Sequence, residues 1–411
     1  MTSLTQMIDA FCSGRPGKDA YELLPAFLHN PPGVIEQFVD AVMATQPDGG
    51  TFLDAALSHM PEEAFDRLAT KWLPHAATEG LTGAIEALVA YASLQRPAAL
   101  SPYLDKLSEM DANGSSYYAC WPWRASPQAT VAELLEQART GASTEERLQA
   151  FERLLETRQP AALQACASIA ADIPVPHSIG LYLQEVGFDE NQRQLFPDEV
   201  AHVIFPAAYL PAPHASWSLQ GLHPSWHLPA TSTGRFGGAG TGTCGLCGGK
   251  LHNLLEIPEK QASLSDSEQV VSLQACLSCL GWEKPVLYYR HGGPGEVLAL
   301  DEGTCSPQFP AQGLRECTAE LAPTPARWRW QDWALSNSRE NLNRLGGHPT
   351  WVQGADYPDC PCCKKKMRFM LQLDSQLPDQ DSEEWLWGSG GVAYGFNCAT
   401  CRTTAYIWQC T

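Results

Sequence analysis

The chain has 411 residues, with 27 Lys and Arg against 46 Asp and Glu and a formal net charge of −19. Such a balance repels phosphate backbones and anionic lipid surfaces, so neither nucleic acid nor a membrane is an expected partner, and a basic protein surface is the natural complement. The length allows two or more domains, no apolar run reaches the roughly 20 residues that span a bilayer, and Met1–Cys12 lacks the pattern of a secretion signal, so the chain reads as cytoplasmic.

Residues 1–172 are rich in Ala and Leu and hold only Cys12, Cys120 and Cys166. Apolar residues at helical spacing, such as Ile85, Leu88, Tyr91 and Ala92, or Phe151, Leu154 and Leu155, predict an α-helical domain. The stretch 85–100 matches 148–163: each is a helix, a break, and then Pro97 or Pro160 opening a second helix, where the missing amide has no partner to lose. Paired helices of this kind resemble the HEAT class of helical repeats, with a plain helical bundle as the alternative. Between the copies, Ser115–Arg124 is an aromatic loop holding Tyr117, Tyr118, Trp121 and Trp123, either a contact patch or a plug.

Residues 173–235 form a proline-rich connecting segment with one expected strand, Val200–Phe205. Gly234–Thr243 lacks the order of a phosphate-binding loop and is expected to be a flexible lead-in to Cys244. Residues 236–411 form a mainly β module, with short strands expected near 251–257, 270–273, 285–289, 369–373, 392–396 and 405–408. Asp379–Glu384 reads as a solvated acidic hairpin connection, and Lys364–Lys366 as a solvated basic turn.

Twelve of the fifteen cysteines lie between Cys244 and Cys410, and eight form Cys-x-x-Cys pairs: Cys244/Cys247, Cys276/Cys279, Cys360/Cys363 and Cys398/Cys401. Each pair aims two thiolates at one point, and two pairs complete a tetrahedral zinc site, so two structural zinc ions are expected. An iron–sulfur cluster and a disulfide framework are the alternatives. The surroundings repeat in order: His223-Pro-Ser-Trp226, Cys244/Cys247, Lys250–Ile257, Cys276/Cys279, and again His348-Pro-Thr-Trp351, Cys360/Cys363, Lys366–Leu373, Cys398/Cys401. The copies span about 223–300 and 345–411, each arranged as a zinc ribbon whose knuckles are 28 and 34 residues apart. Cys305, Cys317, Cys362 and Cys410 are left over and expected to be buried and inert, although Cys362 or Cys410 could replace a ligand. His223, His252 and His348 are further candidate ligands, with turn packing as the plainer role.

Leu345–Gln353, Tyr357–Cys363, Met367–Ser375, Trp387–Tyr394 and Trp408-Gln409 resemble the YwqG-like family of bacterial proteins, in which a Gly-Gly-x-Pro segment leads to a strand ending in Gln-Leu or Gln-Ile. The duplicated knuckle and strand are also similar to the programmed cell death protein 2 family, chaperones of a ribosomal protein. The first copy departs from the pattern, with no Gly-Gly before His223 and Leu254-Leu-Glu-Ile257 in place of Met370-Leu-Gln-Leu373. Neither resemblance implies a catalytic residue, and no Ser/His/Asp order, P-loop or H-E-x-x-H stands out. The expectation is a non-enzymatic protein-binding protein, an immunity protein that neutralises a toxin, with a chaperone of a basic client and an enzyme as alternatives. The aromatic segment Trp328–Trp333 is expected to contribute to the contact surface.

Overall fold

The computed structural model describes residues 4–12, 18–45, 50–79, 83–111, 121–210, 221–293 and 295–411. Two compact units emerge: Met1–Val186 with Pro213–Pro224 and Ala326–Glu340, and Gly187–Ala212 with Ser225–Pro325 and Asn341–Thr411. Of the aromatic loop, only Trp121–Arg124 is described; the rest, with Cys120, lies outside the described residues.

The first unit is helical, with α1 (Leu4–Cys12), α2 (Lys18–Leu28), α3 (Pro32–Thr45), α4 (Thr51–His59), α5 (Glu62–Glu79), α6 (Gly83–Gln95), α7 (Leu104–Asp111), α8 (Gln128–Thr140), α9 (Thr144–Thr157), α10 (Pro160–Ile169), α11 (Ile179–Glu185) and the short α12 (Trp333–Ser336). In α6 almost every residue from Ala84 to Gln95 is buried. A helix apolar on all sides must lie inside its domain, and α3, α4 and α5 pack around it. Both expected proline breaks are present: Pro97 opens a 3-10 turn after α6, and Pro160 opens α10 after α9. Ser143 and Glu146 form a reciprocal capping box that starts α9.

Segment 326–340 enters this helical unit. Arg327 donates to the carbonyls of Ser58 and Met60, satisfying acceptors that the end of α4 leaves open. Tyr91 donates to the Leu335 carbonyl at 3.3 Å. Trp328 is only 5% exposed, and Trp330 lies between the guanidinium groups of Arg124 and Arg158, at 4.4 and 4.0 Å. Trp328 is thereby withdrawn from any contact surface, because its indole gains more by filling the helical core than by facing water, whereas Trp330 and Trp333 are half-buried.

The second unit is built on one sheet of twelve strands among the described residues. They are β1 (Val200–Ile204), β2 (Ser232–Phe236), β3 (Ala239–Thr243), β4 (Lys250–Pro258), β5 (Val270–Ala275), β6 (Leu287–His291), β7 (Val297–Ala299), β8 (Cys317–Pro323), β9 (Arg344–Gly346), β10 (Arg368–Asp374), β13 (Val392–Cys398) and β14 (Thr403–Gln409). β11 (Leu377–Pro378) and β12 (Glu384–Trp385) form a separate hairpin joined by the acidic residues 379–383. The order is β3-β4-β2-β8-β1-β9-β10-β13-β14-β6-β7, with β5 also on β4. The sheet is barrel-like: Thr241 in β3 donates to the Gly295 carbonyl beside β7 at 2.9 Å. Phe236, Leu251, Leu255, Leu273, Leu371, Leu373 and Tyr406 lie in its apolar core.

Gly234–Thr243, expected to be flexible, is instead the hairpin β2–β3, turned by Gly237 and Gly238 at φ +70° and +82°. Its glycines permit close packing. A β-carbon on Gly240 would sit 2.8 Å from the Leu251 carbonyl oxygen, and one on Gly242 would sit 2.9 Å from that of Val297. Residues 173–235 carry α11, β1 and β2, and β1 lies inside the sheet between β8 and β9.

The duplication is visible in the pairing. β4 pairs antiparallel with β5 and breaks register between Asn253 and Leu255; β10 pairs with β13 and breaks register between Phe369 and Leu371. The two bulges occupy matching places, each the same number of residues after its first cysteine pair. In the second copy Gly346 and Gly347 take φ +66° and +74°, bringing the following turn onto β10. There Gln372 accepts from the Thr350 amide at 2.9 Å and donates to the Leu342 carbonyl at 2.8 Å, while the buried Arg344 donates to Thr350 and the His348 carbonyl. In the first copy Glu256 stands where Gln372 does, paired with Arg235 at 2.8 Å.

Candidate metal centres

Both first knuckles are built by the same backbone device. The Cys244 amide donates to the Gly249 carbonyl at 2.8 Å and the Gly248 amide to the Cys244 carbonyl at 3.0 Å; Cys360 with Lys365, and Lys364 with Cys360, repeat this at 2.9 Å each. The tight turn directs both sulfurs of a pair inward and leaves amides aimed at them. Leu246 donates to the Cys244 sulfur and Gly249 to that of Cys247, each at 3.4 Å. The second knuckle of each copy follows β5 or β13, so the strand pairing brings two cysteine pairs to one end of their hairpin.

Cys244, Cys247, Cys276 and Cys279 form one group, and Cys360, Cys363, Cys398 and Cys401 another, with the sulfurs of each group within 4.8 Å of one another. A tetrahedral ion with metal–thiolate bonds of about 2.3 Å sets its sulfurs about 3.8 Å apart. Here Cys247–Cys276 is 3.7 Å, Cys244–Cys279 is 3.9 Å and Cys363–Cys398 is 3.6 Å. A disulfide needs about 2.0 Å, and the several metal atoms of a cluster would push the sulfurs farther apart. Each group therefore suits one ion.

The chemistry of the thiols agrees with the spacing. Cys244 is drawn down to about 5, first by a hydrogen bond from Cys276 and then, against burial, by the amides of Cys247 and Leu246; Cys276 is pushed up by the same contact. In the other group the Lys365 amide holds Cys363 down to about 7, while burial pushes Cys398 up to about 11. Four thiols this close cannot all lose protons until a cation replaces them, so ion binding releases protons. Site 1 is the more enclosed: Cys244, Cys276 and Cys279 are buried, whereas Cys360 is the one buried ligand of site 2.

None of the three histidines joins a group. His223 lies in the helical unit, its Nε2 2.9 Å from the Ser58 carbonyl and its ring 4.8 Å from that of His59. His348 packs edge-on against Phe196 at 5.2 Å. His252 braces site 1 from outside: its Nδ1 accepts from the Leu277 amide at 3.3 Å while Nε2 faces the Ala311 carbonyl at 3.2 Å. Strand spacing put His252 near the ligands, but only the pairing of β4 with β5 revealed its partner.

The leftover cysteines are not uniformly buried. Burial pushes the Cys317 thiol up to about 12, and Cys410 is half-buried. Cys362 is exposed, and its sulfur accepts from Arg290 at 3.1 Å, a contact that lowers its ordinary value. Its expected burial is corrected because the turn that points Cys360 and Cys363 inward leaves the two residues between them, Pro361 and Cys362, on its outer side. Cys305, half-buried, places its sulfur 3.7 Å from that of Cys279.

A 70-residue stretch is 46% identical to an uncharacterised protein of Salmonella typhimurium, YpfL, covering 17% of this chain and 15% of that protein. The chain thus spans well under two thirds of the length of the curated relative it matches. No protein-family model matches the sequence, and no solved structure matches it. Among the described residues, no helix is long and apolar enough to cross a membrane.

Proposed function

We propose that this chain is a zinc-stabilised protein-binding protein, a bacterial immunity protein that silences a toxin domain by covering it one to one. The observation that carries this reading is saturation. In each centre the four grouped sulfurs would fill all four positions of a tetrahedral ion, leaving none for water or substrate, so a bound metal would serve as a structural tie. Zinc is the metal of choice, because four thiolates in a reducing compartment form one of its usual closed sets and it brings no redox chemistry. Function then rests on surface. The −19 balance favours a basic partner, and the helical unit, read as HEAT-like pairs, offers an extended face. The resemblance to YwqG-like proteins and the bacterial origin of the matched protein support a toxin–immunity pair. The repeated knuckle and strand favour a second reading, a chaperone of a basic client such as a ribosomal protein, since that sequence pattern carries the resemblance to the programmed cell death protein 2 family.

The test is titration against a toxin domain encoded beside the gene. Protection should plateau near one equivalent, and association should slow steeply with salt, because exposed charges are screened beyond about 10 Å at 0.1 M. Protection of a large excess by a trace of this protein sinks the binding reading. Solubilisation of a ribosomal protein without toxin protection selects the chaperone.

A further inference from the structure

Site 1 has a fifth sulfur. Cys305 Sγ lies 3.7 Å from Cys279 Sγ, the same separation as between ligands within the group. It is held there by an arm, residues 299–305, strapped across the first knuckle. The Leu300 amide donates to the Tyr288 carbonyl at 2.9 Å. The buried Asp301 carboxylate accepts from the Tyr288 amide at 2.6 Å and pairs with Lys284. The Gly303 and Cys305 amides then donate to the Gly245 and Leu246 carbonyls, at 3.1 and 3.0 Å. The knuckle is shaped to receive this arm, because a β-carbon on Gly245 would lie 1.9 Å from the Asp301 carbonyl oxygen. Two residues between Cys244 and Cys247 thus fix the backbone that presents Cys305.

We propose that Cys305 and Cys279 are a latent disulfide pair, through which a peroxide oxidant expels the ion from site 1. Cys305, half-buried and outside the ligand group, is reached first, whereas Cys279 is fully buried. Its sulfur attacks a peroxide oxygen; the O–O bond breaks, giving a sulfenic acid at Cys305 and one water or hydroxide. The Cys279 thiolate then attacks Cys305 Sγ: the S–S bond forms, the S–O bond breaks, and the oxygen leaves as hydroxide that takes up a proton. The two sulfurs lose two electrons and the peroxide gains them. With one of four thiolates gone, the ion loses a bond and a compensating charge, and three ligands hold it far less tightly.

Release of the ion rests on the proposed metal occupancy, but formation of the disulfide does not, so the two fail separately. The metal-loaded protein is treated with a small excess of hydrogen peroxide; released metal is followed with a chromophoric chelator, and disulfides are mapped by mass spectrometry of the digested, alkylated protein. A Cys279–Cys305 linked peptide is expected, with peroxide-dependent release, counted above a peroxide-free control in which the chelator draws on the more exposed site 2, roughly tenfold faster than from Cys305→Ser, and reversed by a dithiol reductant and added zinc. Linkages confined to Cys244, Cys247, Cys276 and Cys279, or no linkage at all, overturn the proposal. Equal release from Cys305→Ser also overturns it. Mapping the unmodified protein gives the decisive result even if Cys305→Ser fails to load metal.

Discussion

Gly248 and Lys364 hold the same place in the two copies, directly after the second cysteine of the first knuckle, and both are left-handed, with φ +70° and +61°. The turn needs that conformation, because the same residue's amide reaches back to the first cysteine's carbonyl. A β-carbon costs on the order of 1 kcal/mol in this region. Space is not the issue at Gly248, where an added β-carbon meets nothing within 4 Å. Lys364→Gly should therefore raise the melting temperature of the metal-loaded protein by a few degrees, and Gly248→Lys should lower it by a similar amount. Equal melts for all three proteins would remove the torsional account.

The two centres should part company under a chelator. Three of the four sulfurs of site 2 are half-buried, against one in site 1. Competition by a chelator should thus proceed in two steps, the first baring Cys360, Cys363, Cys398 and Cys401 to alkylation and the second the other four. Cys398→Ser should lower stability by several kcal/mol, since binding of a structural ion is folding free energy. Elemental analysis of the purified protein should find two zinc ions per chain; iron with visible charge-transfer absorption would reject the zinc assignment.

Asp374 offers a pH test. Burial raises its carboxyl to about 7, with the Ser375 amide pulling the other way. The folded chain therefore holds this proton where the unfolded chain has lost it, so stability falls as pH rises from about 4 to about 7. Asp374→Asn keeps an oxygen for the Ser375 amide and removes that loss. It should stabilise the protein by a few kcal/mol at pH 8 and have little effect near pH 4. Chemical denaturation at both pH values reads the difference, and an equal effect at the two rejects the raised carboxyl.

Buried histidines act in the opposite sense. Burial lowers His59 and His291 to about 4 and His202 to about 3. Each is neutral in the fold and charged once unfolded below about 6.5, so stability is lost as pH falls from there toward 4. His59→Gln should flatten the acid limb of the helical unit's melting profile, and an unchanged limb would falsify its part in acid unfolding.

Gly346 tests the Gly-Gly turn. A β-carbon there would lie 2.1 Å from the Glu199 carbonyl oxygen at φ +66°. Gly346→Ala should cost about 2 kcal/mol or more, adding a backbone clash to torsional strain. The expected sign in hydrogen exchange is lost protection at the Thr350 amide, which Gln372 otherwise holds; full protection there would separate the turn from the Gln372 network.

What the sequence determined by itself was local geometry and its repetition. Cys-x-x-Cys spacing dictates two thiolates per turn, short β-branched or aromatic runs bounded by turn residues point to β4, β5, β10, β13 and β14, and Pro97 and Pro160 dictate where their helical segments start. These follow from torsions and side-chain period within a few residues, so they are legible without partners. Tertiary structure alone decided the rest. Glycines 234–242 read as flexibility until their neighbours explain them as close packing between strands. Segment 326–340 carries no signal of the helical core it fills, since Trp328 and Arg327 meet His223 and Ser58 only through the fold. Cys305 looks spare in the chain because its distance from Cys279 depends on Asp301, Lys284 and Gly245 clamping an arm in place. Burial and long-range hydrogen bonding select such contacts from many that the same residues could make, and that selection is a property of the packed whole.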